Sequence, residues 1–257
     1  MTQTTINLNA DLGESFGAWR MGDDAALLQV IGSANIACGF HAGDPVVMRE
    51  TVRLALANGV SLGAHPAFPD LQGFGRRAMQ LSTQELEATI LYQVGALQAM
   101  AAAEGGRVTH VKPHGALNNI ACADAEVAAT VARAVRALDR ELILLAPALS
   151  ALEAAGDAAG LRVGREVFAD RTYHQDGQLT PRSQPGAVLH DAQACVQHVL
   201  RMLDAGGIVT ADGQRLPTPI HSICVHGDGP DAVASAQQIR LALEKAGYQL
   251  APLTALV

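Results

Sequence analysis

The amino-acid sequence predicts an α/β protein built as one closed (β/α) barrel. Seven short apolar runs alternate with amphipathic segments along 257 residues, and no linker-like stretch interrupts them. Apolar strands that alternate with helices are typical of a parallel sheet covered on its outer face. We therefore expect a single domain over 1–257, with an open doubly wound sheet as the alternative.

The predicted strands are short and mostly aliphatic. They are TINLNA at 5–10, ANIAC at 34–38, VSLGA at 60–64, VTHVK at 108–112, LILLA at 142–146, RVGREVF at 162–168 and HSICV at 221–225. A further run, YQLAPL at 248–253, is a candidate last strand that would complete the closure of the barrel.

Helical periodicity fills the intervals between these strands. The segment 44–59 has Asp44 as a candidate N-cap and Pro45 at the first helical position. The segment 82–105 opens with Ser82 and Glu85 at capping-box spacing. The pattern recurs at 123–138, 148–156, 190–205 and 230–246.

Two segments depart from the alternation. The stretch 208–217 predicts a small hairpin around Asp212-Gly213. The polar stretch 171–187 is a long loop, and loops of that length in compact domains are often mobile lids.

Composition narrows the function classes. The net charge is −7 and no basic stripe with interleaved aromatic residues is present, which argues against a nucleic-acid partner. The sequence lacks both a signal-peptide pattern and an apolar run of about 18 residues, so we expect a cytoplasmic protein without a membrane partner. The four cysteines are widely spaced and are expected to be reduced thiols in the core.

Polar residues collect where the predicted strands end, which is the end at which (β/α) barrels carry active sites. They are Asp11 and Glu14 after the first strand, His41 and Asp44 after the second, His65 after the third, Lys112 and His114 after the fourth, Glu166, Asp170 and Arg171 at the sixth, and His226 and Asp228 at the seventh. Side chains two apart on a strand share a face, so Lys112 and His114 should point the same way, as should Glu166 and Asp170. These residues should converge on one mouth, although helix capping alone would also explain Asp44 and Asp228.

Six motifs follow one another along nearly the whole chain. They are NADLGES at 9–15, NIACGFHAGDP at 35–45, GAHPAFPDLQGFGRR at 63–77, VKPHGALNN at 111–119, EVFADRTY at 166–173 and SICVHGDGP at 222–230. Together they resemble the LamB/YcsF family, although Asn118 stands where an aromatic residue is usual. The resemblance implies an irregular (β/α) barrel of seven to eight mainly parallel strands, related to the deacetylase-like glycoside hydrolase group.

The resemblance also implies a reaction. The family is associated with the A subunit of 5-oxoprolinase, which would open the lactam of 5-oxo-L-proline to L-glutamate with ATP as co-substrate, in a complex with subunits B and C. Such chemistry needs cations for phosphate and carboxylate, a base for water and an acid for the ring nitrogen. The catalytic candidates are then Asp11, Glu14, His41, His65, Lys112, His114, Glu166 and His226. The substrate-binding candidates are Asp44, Arg76, Asp170, Arg171, Tyr173 and Asp228, and Arg182 in the long loop could also reach a ligand.

Several alternatives stay open. No P-loop motif is present, so ATP would bind either at this mouth without that motif or at a boundary between subunits. A metal-dependent amide hydrolase of the deacetylase type would use one divalent ion, for which Asp11, His41 and His114 are the best triplet, with His65 as substitute. A non-catalytic chain would only carry a small anionic ligand to partner subunits. Lys112 would either contact the reacting group or neutralise a buried carboxylate.

Overall fold

The computed structural model describes residues 4–225 and 232–257, and its centre is a closed barrel of parallel strands. The strands are β1 (Thr4–Leu12), β2 (Ser33–Ala37), β3 (Ser61–His65), β4 (Val108–Val111), β5 (Ile143–Pro147), β6 (Arg162–Phe168), β7 (Gly207–Val209), β8 (Arg215–Pro217), β9 (Ser222–Val225) and β10 (Tyr248–Leu250). β1 to β6 pair in chain order, and β9 closes the circle by pairing with both β6 and β1. The predicted barrel of seven parallel strands is therefore confirmed.

The last strand does not close the barrel, so that part of the prediction is wrong. β10 pairs with residues 4–6 of β1, whereas β9 pairs with residues 7–10 along the same edge and makes the closure. The chain then turns through a short 3-10 helix, Leu253–Ala255. There Leu253 packs against Ile143 and Leu145, so the C-terminal segment fills the end of the barrel opposite to the strand carboxyl ends.

Helices surround the barrel. They are α1 (Asp24–Leu27), α2 (Pro45–Ala57), α3 (Thr83–Ala103), α4 (Gly115–Ala123), α5 (Ala125–Leu138), α6 (Ala151–Ala158), α7 (Ala192–Ala205) and α8 (Ala232–Lys245). The predicted capping box of Ser82 and Glu85 is present, and Asp44 caps α2 by accepting hydrogen bonds from the N–H groups of Val46 and Val47. The short α1 and α4 were not predicted. Within the described residues, no helix combines the length and apolarity needed to cross a bilayer.

The two irregular segments have defined structures. β7 and β8 form the predicted antiparallel hairpin, and Gly213 in its turn has a φ of 88°. The long loop folds back on itself through antiparallel bridges that join Arg171 to Val188 and Tyr173 to Leu179. Its residues 177–179, 181 and 182 line the main cavity, while its mobility stays a prediction.

The barrel interior is polar along one side, whereas bulky branched residues usually fill this space. Nδ2 of Asn7 donates to the carbonyl of Ala251 at 2.8 Å and to Oγ of Ser33 at 3.0 Å. Nδ2 of Asn9 donates to Oγ of Ser222 at 2.7 Å, and that hydroxyl donates back to Asn7. Buried polar groups are tolerated when they are hydrogen-bonded, and this chain of contacts runs from the plugged end towards the strand carboxyl ends.

Candidate active site

The structure brings seven of the eight predicted catalytic residues together at the carboxyl ends of the strands. They surround or underlie a cavity of about 590 Å³, a size typical of small-molecule sites. The seven are Asp11, Glu14, His41, His65, Lys112, His114 and Glu166. His226 and Asp228 lie outside the described residues.

Glycines allow the loops to turn closely beneath this cavity. Gly13 follows β1 with a φ of 71°, and Gly43, in the turn that carries His41, has a φ of 77°. A Cβ atom on Gly43 would lie only 2.9 Å from the carbonyl oxygen of Gly13. Glycine is favoured at such positions because it has neither the Cβ nor the steric penalty at positive φ.

Lys112 lies between two carboxylates inside the barrel. Its Nζ is 3.1 Å from Oδ1 of Asp11 and 3.0 Å from Oε1 of Glu166, and it donates to Sγ of Cys224 at 3.0 Å. Burial alone would lower the pKa of Lys112, but the neighbouring negative charges, chiefly Asp11, hold that pKa well above its usual value. Lys112 is therefore a permanent cation at neutral pH. The other oxygen of Glu166, Oε2, is buried without a hydrogen-bond partner among the described residues.

Asp11 connects this ion pair to the histidines. Its Oδ1 accepts hydrogen bonds from Lys112 and from Nδ2 of Asn35, the latter at 2.9 Å. Its Oδ2 lies 3.3 Å from Nε2 of His65. The carboxylate is thus oriented by two donors on one side and faces an imidazole on the other.

Three histidine rings pack together above Asp11. His41 stacks on His114 with ring centroids 3.8 Å apart, and His65 meets His114 edge-on. Nδ1 of His65 lies 2.7 Å from the carbonyl oxygen of Lys112, and Nε2 of His114 lies 2.8 Å from that of Phe74. The inward nitrogens of these two rings, Nε2 of His65 and Nδ1 of His114, are 3.0 Å apart.

Burial keeps two of these rings neutral. Burial lowers the pKa of His41 well below its usual value, and the neighbouring His65 lowers it further. Burial likewise lowers the pKa of His114, with His41 and His65 as further causes. Nε2 of His41 lies 3.0 Å from Oε1 of Glu14, while its Nδ1 is buried without a hydrogen-bond partner among the described residues.

Four side chains are placed to hold a metal ion. One ligand atom from each of Glu14, His41, His65 and His114 lies within 4.8 Å of the others. This set shares His41 and His114 with the predicted triplet, contains the predicted substitute His65, and adds Glu14. Asp11 lies beside the set, with Oδ2 3.3 Å from Nε2 of His65, and its role as a ligand stays a prediction.

The fold places some of the predicted substrate-binding residues at the cavity and others away from it. Arg76, Arg171 and Tyr173 line the cavity. Asp44 does not line it within the described part of the chain, since its carboxylate caps α2 and accepts from the N–H of Gly17. Asp170 is also absent from the described lining: β6 ends at Phe168, so the face shared with Glu166 is not continued.

The side chain of Tyr173 is fixed in place rather than free to move towards a ligand. Its hydroxyl accepts a hydrogen bond from the backbone N–H of Phe168 at 2.8 Å, and burial raises its pKa. The ring therefore forms part of the cavity wall.

Sequence reasoning missed three residues that support the site. Asn9 donates to Oε1 of Glu166 at 2.9 Å, Asn35 donates to Asp11, and Nε2 of His110 lies 3.1 Å from Oδ1 of Asn35. A signal was available for two of them, since Asn9 has the strand parity of Asp11 and His110 that of Lys112.

Comparisons with known proteins agree with this geometry. The sequence matches the LamB/YcsF family over residues 6–257. The A subunit of a 5-oxoprolinase from Azoarcus sp. (strain BH72) is 68% identical over 245 residues, covering 95% of this chain and 96% of that protein. The crystal structure of a lactam utilization protein from Thermus thermophilus is 45% identical, covers 97% of this chain and 100% of that chain, and has a TM-score of 0.91.

A more distant likeness concerns the fold alone. The catalytic domain of a peptidoglycan N-acetylglucosamine deacetylase from Eubacterium rectale ATCC 33656 is 11% identical, with a TM-score of 0.54 over 99% of this chain and 90% of that chain. The expected deacetylase-like barrel fold is thereby confirmed. Given the match along nearly its whole length, the chain belongs to the LamB/YcsF family.

Proposed function

We propose that this chain is the A subunit of an ATP-dependent 5-oxoprolinase and that its cavity is where the lactam of 5-oxo-L-proline is opened to L-glutamate. The names of its relatives support the reaction, and their designation as one component of an enzyme supports partner subunits, which we take to be B and C. The observation that carries the proposal is Lys112, held between two carboxylates directly beside a cluster of buried histidines. The complex would work in the cytoplasm.

The proposed reaction must overcome the stability of the lactam amide. A lactam is a resonance-stabilised amide, and attack by water must form an oxyanion and expel an amine. Transfer of a phosphoryl group from ATP to the amide oxygen would make the ring carbon electrophilic and would turn that oxygen into part of a leaving phosphate. Because the sequence has no P-loop motif, ATP would bind either at this mouth without that motif or at a boundary between subunits.

The side chains at the cavity would then move protons and hold charge. Without a bound metal ion, a neutral imidazole, His41 or His114, would accept a proton from the attacking water. The new C–O bond would form, the ring C–N bond would then break, and the departing nitrogen would take the proton back from the imidazolium. This leaves an acyl phosphate, and attack by a second water molecule would release phosphate and L-glutamate. The fixed positive charge of Lys112 would stabilise the oxygen on which negative charge develops.

A divalent metal ion fits the cluster of Glu14, His41, His65 and His114. Backbone carbonyls only accept hydrogen bonds, so in such a complex the outer nitrogens of His65 and His114 would donate to them and the inner nitrogens would be the ligands. Those inner nitrogens lie 3.0 Å apart, close enough for one cation to contact both. When bound, such an ion would polarise the substrate carbonyl and lower the pKa of a water molecule.

The test is glutamate formation and phosphate release by the complex of this chain with subunits B and C. We expect glutamate to disappear when this chain is omitted. His114→Ala and Lys112→Met should abolish glutamate formation, whereas Arg140→Gln, on the exposed turn before β5, should keep it. For a mere carrier, the variants would lose rate only in proportion to their loss of 5-oxoproline binding, and that result would contradict catalysis here.

A further inference from the structure

The charge of the cavity lining is opposite to that of the chain. The net charge of the protein is −7. Among the described side chains that line the cavity, however, four are cationic and two are acidic, namely Arg76, Lys112, Arg171 and Arg182 against Asp11 and Glu14. Clefts lined by an excess of one sign concentrate ligands of the other sign, so this cavity favours an anion.

Arg171 is a buried cation fixed in place by neutral groups. Only 7% of its surface is exposed, its Nη2 donates to the carbonyl of Thr180 at 2.6 Å and its Nε donates to that of Ala187 at 3.3 Å. Its Nη1 makes no hydrogen bond to the described residues. Burial lowers the pKa of Arg171, the positive charge of Arg182 lowers it further, and the negative charge of Asp170 opposes both effects.

Arg182 approaches the same cavity from the exposed part of the loop. It lines the cavity and has no ion pair among the described residues. Two guanidinium groups on one wall, one rigid and one exposed, form a donor set suited to a carboxylate, which accepts paired N–H groups in a planar fork.

We propose that Arg171 and Arg182 form a carboxylate-binding wall that restricts this site to anionic lactams. The inference rests on the proposed function, since it names the feature of 5-oxoproline that the wall recognises. Neutral lactams of the same ring size would leave Nη1 of the buried Arg171 without a charged acceptor, and sites built around such polar groups discriminate strongly against ligands that leave them unpaired.

The experiment is a titration calorimetry series on the full-length chain. The ligands are 5-oxo-L-proline, its neutral carboxamide, cyclopentanecarboxylate and inorganic phosphate. The variants are Arg182→Gln, which changes an exposed residue and should fold normally, and Arg171→Lys, which keeps the charge but not the fork. Arg140→Gln is the matched control for the removal of one exposed arginine.

We expect the wild-type chain to bind 5-oxoproline at least tenfold more tightly than the carboxamide, roughly the effect of one charged hydrogen bond. Arg182→Gln and Arg171→Lys should each reduce this preference several-fold by weakening only the acid, and Arg140→Gln should keep it. If both Arg182→Gln and Arg171→Lys keep the wild-type preference for 5-oxoproline over the carboxamide, the proposal is overturned. It is also overturned if the wild-type chain binds none of the four ligands.

The remaining outcomes separate the wall from the proposed reaction. Loss of phosphate affinity in Arg182→Gln, with 5-oxoproline affinity unchanged, would overturn the carboxylate assignment in favour of a phosphate site. If cyclopentanecarboxylate binds as tightly as 5-oxoproline and depends equally on Arg182, the wall stands while the proposed lactam substrate fails.

Discussion

Nε2 of His110 lies 3.1 Å from Oδ1 of Asn35, at the centre of the barrel. The other ring nitrogen lies 2.9 Å from the hydroxyl of Thr109, so the imidazole is held at both ends. Asn35 in turn donates to Oδ1 of Asp11 and to Oδ1 of Asn9 at 2.7 Å. His110 therefore orients, through one amide, the carboxylate that pairs with Lys112.

His110 should make the stability of the protein depend on pH. Burial lowers the pKa of His110 to about 3, and the charge of Lys112 contributes in the same direction. At pH values between about 3 and the ordinary histidine pKa of 6.5, His110 binds a proton in the unfolded chain but not in the folded chain. The free energy of unfolding should therefore be fully retained above pH ~6.5 and fall as the pH drops, by about 1.4 kcal/mol per pH unit for this group.

Urea denaturation of the wild type and of His110→Gln at about pH 6 and pH 5 measures this effect. His41 and His114 also have lowered pKa values, so the wild-type loss includes their contribution. We expect His110→Gln to lose about 1 kcal/mol less than the wild type over that interval. His190→Gln, at an exposed position, should behave like the wild type. Equal losses in all three proteins would refute the assignment.

Gly63 provides the space that His110 occupies. A Cβ atom built on Gly63 overlaps the imidazole of His110 on the neighbouring strand, where a register shift lies between β3 and β4. Gly63→Ala should therefore lower the free energy of unfolding by about 3 kcal/mol through overpacking. The control is Gly95→Ala in α3, where nothing lies within 4 Å and the change should raise stability by about 0.5–1 kcal/mol.

A double variant tests the cause of the Gly63 effect. If the two side chains compete for one volume, Gly63→Ala should cost much less in a His110→Ala background than in the wild type. If the losses of unfolding free energy in the two single variants simply add in the double variant, the destabilisation by Gly63→Ala would instead come from the strand backbone.

The histidine cluster predicts a stabilising metal ion. Chelator-treated protein loaded with Zn²⁺ or Mn²⁺ should retain about one ion after gel filtration, and its Tm should rise by roughly 5–10 °C at a hundredfold excess over Kd. His65→Gln and His114→Ala should each abolish both effects, while His190→Ala should keep them. A Tm rise that survives in both cluster variants would place the ion elsewhere.

The barrel itself could be predicted because each strand carries its own signal. All seven predicted runs are strands in the structure. Their bounds shift by at most two residues, and 162–168 coincides with β6. The helix α4 was missed because its residues were interpreted only as a motif, and His114 stands at its N-cap without capping it. That position leaves the imidazole free for the cluster.

The site could be predicted only for residues whose direction follows from the alternation of side chains along a strand. Parity placed Lys112 and His114 on one face, and both line the cavity. Parity could not show that Glu14 joins the histidine cluster, because the turn at Gly13 ends the strand geometry between Asp11 and Glu14. The same limit applies to Asp170, which lies beyond the end of β6.

The last prediction separates the two roles considered for Lys112. The structure places Nζ against both Asp11 and Glu166, so neutralising buried carboxylates is one of its roles. Lys112→Arg is a poor test, because the wider guanidinium must fit where Lys112 is 2% exposed and already contacts Cys224. Lys112→Met should lower the free energy of unfolding by about 3–5 kcal/mol, since it leaves both acids buried without their cation.

Adding Glu166→Gln to Lys112→Met removes one of the two buried carboxylate charges that Lys112→Met leaves without a cation. We expect the double variant to recover at least half of the lost stability in urea denaturation, while glutamate formation by the complex stays below about 1% of the wild-type rate. Glu166→Gln alone keeps the cation and one carboxylate, and it controls for the loss of the acid. If Lys112 only neutralises charge, activity should return together with stability in the double variant. Recovery of the fold without recovery of turnover would assign the ammonium group to the reaction itself, as a fixed charge beside the opening ring.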